Sequence, residues 1–320
     1  MTEPTANEPG KQVLPATGFA LLAGLAIIWG LNWPVMKIVL SEVTVWWFRS
    51  ACLIVGGIGL LTISGLTGSA VRVPADQIKP LLACAAFNVV GWQMCSGYGV
   101  LLMPAGRAAI IAFTMPIWAA LFAHALLGEA LTKAKLTGLA LGMAGLAVLI
   151  GPELIVLRAA PLGAIFMLLS ALSWAYGTVL FKSISWSIPL TSSLGWQLLA
   201  GSAPVTIGAV LLEPVIDVAL LSTSVRLALA YALLFPMLFG QWAYFRIVHL
   251  FPASIAAIGT LAVPIVGAFS SALMLGEPIG VRELLALALV CASLASALVL
   301  PAVRAEGNRP RFHYRRARKV

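Results

Sequence analysis

Charge is what this sequence has least of. Of its 320 residues only 10% are Asp, Glu, Lys or Arg, while 61% are hydrophobic, and the mean hydropathy is +1.01. A water-soluble domain carries about 25% charged residues because its surface must face water. A soluble globule is excluded, and lipid is the solvent that fits. Histidine is scarcer still, with three in the chain. No HExxH, GxSxG or paired-aspartate constellation occurs in the apolar stretches, which leaves little from which to build a membrane-embedded enzyme. The four cysteines (Cys52, Cys84, Cys95, Cys291) lie in apolar sequence and form no CxxC pair. They read as small buried hydrophobes, neither metal ligands nor a disulfide framework. No metal and no cofactor is expected.

What is present is hydrophobic length. Cutting at every charged residue leaves ten charge-free runs of 17 residues or more: 12–36, 50–71, 80–106, 108–128, 136–152, 159–181, 183–212, 227–245, 247–276 and 284–303. Crossing roughly 30 Å of hydrocarbon takes about 20 helical residues, and the runs lack the period-two alternation of barrel strands. The expected fold class is an all-α membrane protein with ten transmembrane helices. The first run is not read as a cleavable signal, because Met1 to Gly10 is acidic and no small-residue cleavage site follows.

With the N-terminus in the cytoplasm, fourteen of the 20 basic residues fall on that side, seven of them in the tail from Arg304 to Lys319. Both termini are therefore expected to be cytoplasmic, most naturally in a bacterial inner membrane. The basic tail reads as a topology anchor on anionic lipid. Nucleic acid is not an expected partner; the lipid bilayer and a small-molecule substrate are, with the chain a monomer or a weak homo-oligomer.

The two halves answer each other. Pro104-Ala105, Pro116 and Gly128-Glu129 recur as Pro252-Ala253, Pro264 and Gly276-Glu277, each pair 148 residues apart, and Gln93 answers Gln241 at the same offset. Trp29 precedes Lys37 by eight, as Trp174 precedes Lys182. A duplicated unit of five helices, an odd number, must enter the membrane upside down the second time. Inverted repeats of this kind are a building plan of secondary transporters, with the substrate site near the midplane where the repeats meet. The expected parts are a tail (1–16), a first repeat (17–152), a second, inverted repeat (159–303) and a basic tail (304–320).

Trp29-Gly-Leu-Asn-Trp-Pro-Val-Met-Lys37, Trp47-Phe-Arg49 and the doubled Pro-x11-Gly-Glu spans resemble the EamA-type exporters of the drug/metabolite transporter superfamily. Within it the chain is similar to amino-acid exporters of the YddG kind. The resemblance implies two inverted five-helix repeats around a central cavity lined by the first, third, fourth, sixth, eighth and ninth helices.

Polar groups in hydrocarbon are costly unless they face protein or water, so they are the first substrate-binding candidates. On the first helix Trp29, Asn32 and Trp33 share a face, and Pro34 can free a carbonyl toward a cavity. The third helix offers Asn88, Trp92, Gln93 and Tyr98, the sixth Trp174 and Tyr176, the eighth Gln241, Trp242 and Tyr244. Trp174 leads, because its repeat partner is Trp29. Each also has a structural reading, as an interhelical hydrogen bond or an interfacial aromatic. Pro116 and Pro264 read as kinks, and Gly138 and Gly142 as a close helix contact. None of the 11 carboxylates falls mid-span, so proton coupling is not expected. Arg49, barely a turn inside its span, reads as snorkelling to the interface. A small neutral or zwitterionic solute fits this inventory, amino acids among them; other small metabolites or drugs are the alternative.

Overall fold

The structure, a computed structural model, describes residues 16–102, 111–150, 161–275 and 280–296. In order they form α1 (Ala16–Val39), α2 (Val45–Leu66), α3 (Ala75–Cys84), α4 (Trp92–Leu102), α5 (Met115–Leu127), α6 (Lys133–Ile150), α7 (Pro161–Ser183), α8 (Leu190–Leu212), α9 (Thr223–Leu234), α10 (Gln241–Leu250), α11 (Ala253–Gly259), α12 (Ala262–Leu275) and α13 (Val281–Leu294). Two π-helical segments, Ala85–Gly91 and Phe235–Gly240, join α3 to α4 and α9 to α10 without a turn. Each charge-free run is helical over most of its described part. Among the described residues six helices are long and apolar enough to cross a membrane: Thr17–Met36, Val45–Leu66, Ala75–Gly99, Leu162–Ser183, Leu190–Leu212 and Thr223–Leu250. Large apolar side chains such as Ile58, Leu82, Leu169, Ile207 and Leu227 are exposed along them, as they should be where lipid is the solvent. The chain is an integral membrane protein.

The runs expected as the fourth and ninth spans are broken rather than kinked. The chain turns at Phe113–Thr114 before α5, and at Thr260–Leu261 between α11 and α12. Pro116 and Pro264 lie just inside the helix that resumes, where a missing N–H costs nothing. At each break a threonine hydroxyl donates to the carbonyl three residues back, Thr114 to Ile111 at 2.6 Å and Thr260 to Ala257 at 2.7 Å. α5 ends on Gly128, whose φ of 67° is left-handed and suits glycine.

Packing follows a pattern. α2 lies against α8, and α6 against α13; α1 touches α12 and the α9–α10 rod, while α7 touches α5 and the α3–α4 rod. Ser50 bonds Thr206 at 2.7 Å and Ser64 bonds Ser192 at 2.5 Å across the α2–α8 seam. The α6–α13 seam runs on small residues, as the Gly138–Gly142 spacing predicts: Ser293 Oγ donates to the Gly138 carbonyl at 2.5 Å, and a Cβ on Gly142 would lie 2.9 Å from that hydroxyl. Gly142→Leu is expected to part the two helices, at an overpacking cost of about 1–3 kcal/mol. The check is the thermal midpoint of the detergent-purified protein; an unchanged midpoint would refute the close contact.

The corners gather in two sets. In one, Glu42 accepts from the Ser222 N–H at 2.8 Å, and Glu213 accepts from the N–H groups of Trp46 (3.2 Å) and Trp47 (3.3 Å) at the start of α2. The Ser222 N–H, helped by its hydroxyl, holds the Glu42 carboxyl below the usual carboxylate range. In the other set, Gln77 bonds Ser185 and Ser187, both at 3.2 Å. Glu129 accepts from the Ala253 N–H at 2.8 Å and pairs with Lys135 at 3.2 Å. Lys182 Nζ donates to the Phe251 carbonyl.

Candidate functional site

A central cavity of about 110 Å³ opens where α1, α4, α7 and α10 converge. α1 contributes Trp29, Asn32 and Met36; α4 contributes Trp92, Gln93 and Ser96; α7 contributes Met167 and Trp174. Pro236, Met237 and Gln241 come from the α9–α10 rod, Ala112, Phe113 and Met115 from the break before α5, and Val263 from α12. These are the six helices that the resemblance implied, together with one more, α2, which reaches in through Arg49. A vestibule of about 410 Å³ adjoins it, lined by Thr44, Trp46, Tyr98, Glu213 and others, and it shares Arg49 and Gln93 with the cavity.

Aromatic rings form one wall. Trp174, 3% exposed, has ring centroids 5.2 Å from Trp92, 5.2 Å from Tyr244 and 6.0 Å from Trp29, the last edge to face. Tyr244 backs this wall from behind, 5.4 Å from Trp29, with its hydroxyl bonded to Thr178 at 3.1 Å. Such edge and tilted pairs fix ring orientation beyond what area burial alone gives. Four methionines line the remainder, and their flexible thioethers make an apolar surface that adapts to differently shaped solutes.

The polar lining is largely unpartnered. Asn32 Oδ1, Gln93 Oε1 and Trp174 Nε1 are buried without a hydrogen bond; the Trp174 indole lies close enough to the Tyr244 hydroxyl to interact with it, but not in bonding geometry. Buried polar groups are ordinarily paired; these three unpaired atoms belong to residues that line one hollow, and Asn88 and Gln197 carry further unpaired atoms outside it. Among the described residues no three of His, Cys, Asp and Glu come together as metal ligands would.

Of the candidates read from sequence, Asn32, Trp92, Gln93, Trp174 and Gln241 line the cavity, and Tyr98 lines the vestibule, 5.8 Å from the Trp46 ring. The Trp33 side chain lies outside the described residues. Asn88, Tyr176 and Trp242 are not in the cavity wall. Asn88 is buried against Gly177 of α7, where a Cβ would come within 2.3 Å of its side-chain oxygen. Tyr176 packs on Phe87 at 4.7 Å, and Trp242 on Phe239 at 5.8 Å. The carbonyl that Pro34 displaces, that of Gly30, meets Ser270 Oγ at 3.4 Å on α12 instead of facing the cavity. Arg49 corrects the sequence reading most: it is 7% exposed and faces both hollows, so it does not snorkel. Its signal was a cation within an apolar, charge-poor span.

This geometry has counterparts. The sequence profile of the EamA-like transporter family matches twice, at residues 16–151 and 161–299. The uncharacterized transporter YvbV of Bacillus subtilis is 30% identical over 290 residues, covering 88% of this chain and 92% of its own. The uncharacterized inner membrane transporter YedA of Escherichia coli is 27% identical, covering 88% and 89%. A protein of Salmonella typhimurium named as a probable amino-acid metabolite efflux pump is 27% identical, covering 87% and 93%. A solved crystal structure matches with a TM-score of 0.75 over 91% of this chain and 99% of its own at 18% identity, which shows a shared fold. Two profile matches spanning nearly all of the chain settle the family: this protein belongs to the EamA-like transporters.

Proposed function

We propose that the chain is a secondary transporter that exports small neutral or zwitterionic metabolites, chiefly amino acids with apolar or aromatic side chains, by alternating access. Two inverted five-helix repeats, 17–152 and 159–303, form its ten spans, with both termini cytoplasmic. One observation carries the reading: the residues that answer each other in the two halves meet at one cavity. Trp29 and Trp174 touch ring to ring, and Gln93 and Gln241 both line the hollow. The packing pattern supports it, because exchanging the halves maps the α1–α12 contact onto α7–α5 and leaves α2–α8 and α6–α13 as self-paired seams. A pseudo-twofold axis through the cavity is the arrangement in which rocking exposes one site to either side.

The lining supports the substrate class. Rings and methionines suit apolar side chains, and amide oxygens suit an ammonium group. Relatives named as a probable amino-acid metabolite efflux pump and as a probable terminal-alkyne amino-acid exporter point the same way. Among the described residues no carboxylate or histidine lines the cavity, so the solute's own gradient drives transport. Proteoliposomes preloaded with unlabelled leucine or phenylalanine should accumulate the labelled amino acid transiently, without acidifying the lumen. Absence of counterflow for every common amino acid would overturn the substrate reading, and proton movement in step with the solute would overturn the energetics.

A further inference from the structure

A hollow in an apolar bundle that holds one fixed positive charge selects what enters it. Arg49 sits on the second turn of α2, buried, and borders both the cavity and the vestibule. Among the described residues its guanidinium has neither an ion pair nor a hydrogen bond; it lies 5.5 Å from the centre of the Phe48 ring. Glu213, the carboxylate of the vestibule, is engaged with the N–H groups of Trp46 and Trp47. Five donors in a rigid fork, desolvated and unmet, are expensive to keep. Beside them stand two buried acceptors without partners, Gln93 Oε1 (2% exposed) and Asn32 Oδ1. Cation and acceptors thus lie around one space, with aromatic rings along its wall.

We infer that Arg49 is the carboxylate anchor of the transport site. The guanidinium pairs with the carboxylate of the solute, the Gln93 and Asn32 oxygens receive its ammonium group, and its side chain lies along Trp92 and Trp174. This rests on the reading of the chain as an amino-acid exporter and narrows it to solutes with a free carboxylate. Arg49 and Gln93 border both hollows, so the same two side chains hold the solute's polar end as it passes from cavity to vestibule.

Four probes of one skeleton test the assignment on the full-length protein: L-phenylalanine, 3-phenylpropionate, L-phenylalaninamide and phenethylamine, each scored by thermal stabilisation in detergent and by competition in counterflow. The two carboxylates should outperform the amide and the amine by about tenfold or more, the worth of a bidentate charge-assisted pair. Arg49→Gln should abolish that preference, and Arg49→Lys should restore part of it; loss of a merely structural residue would weaken all four probes alike. The anchor is overturned if the amide or amine matches phenylalanine on the unaltered protein, or if Arg49→Gln keeps the preference. Should Arg49→Gln fail to fold, the ranking on the unaltered protein decides. Phenylalanine transport without carboxylate preference sinks the anchor and leaves the exporter reading standing. Binding of 3-phenylpropionate but not phenylalanine does the reverse, and silence from all four sinks both.

Discussion

Trp174→Ala should reduce amino-acid counterflow per folded protein by about 100-fold. The ring sits at the crossing of Trp29, Trp92 and Tyr244, with Phe245 a further 6.1 Å away. Truncating a buried tryptophan to alanine costs about 3–5 kcal/mol, part of it for the void left behind. Here the void opens beside the site, so the neighbouring rings lose the surface that orients them. Two effects are therefore mixed, and Trp174→Phe separates them. Phenylalanine keeps most of the packing and removes the unbonded indole N–H; that variant should keep its thermal midpoint within a few degrees, while flux falls about tenfold when the N–H donates to the solute's carboxylate beside Arg49, the size of one hydrogen bond to a charged group. Normal flux in both variants would show that the aromatic wall is not where the solute binds.

Glu129→Ala should shift the protein toward a state opened at the end remote from the vestibule. In the present state that end is tied by the Glu129 carboxylate, which caps the start of α11 through Ala253 and pairs with Lys135, and by Lys182 on the Phe251 carbonyl. A charged hydrogen bond lost in one state and irrelevant in the other is worth about 1.5–3 kcal/mol, or about 10- to 100-fold in population. A single cysteine in place of Ser96, on the cavity wall, reports it once the four native cysteines are serine. In oriented vesicles an impermeant maleimide should reach that position at least about tenfold faster from the Glu129 side in the variant than in the parent. Equal labelling rates would mean that these bonds hold no gate.

Both experiments depend on which polar residues look inward, and there sequence and structure parted in instructive places. Trp174, Trp92 and Asn32 were legible because aromatic and amide groups in hydrocarbon need a reason to be there. Asn88 met the same criterion and stands four residues before Trp92, one turn away in an α-helix, but the Ala85–Gly91 segment is π-helical. Its i→i+5 bonding changes the angular step, so the face counted back from Trp92 no longer arrives where α-helical spacing puts it, and Asn88 is buried at the α7 seam instead. Arg49 failed for a different reason. Its distance from the span end allowed a path to the headgroups, and only the packed vestibule, with Glu213 folded over the start of α2, shows that the guanidinium is enclosed.

The prolines divide likewise. That Pro116 and Pro264 interrupt their spans follows from the missing N–H. That the interruption is a break steadied by Thr114 and Thr260, and that the carbonyl displaced by Pro34 meets α12, depends on neighbours distant in the chain.

Read alone, then, the sequence determined the solvent, the helical class, the doubled pattern and the family, because those depend on local hydrophobicity and on recurrence along the chain. Tertiary structure decided which atoms face the hollow and which are left without partners, because orientation about a helix axis is set by what packs on its other sides.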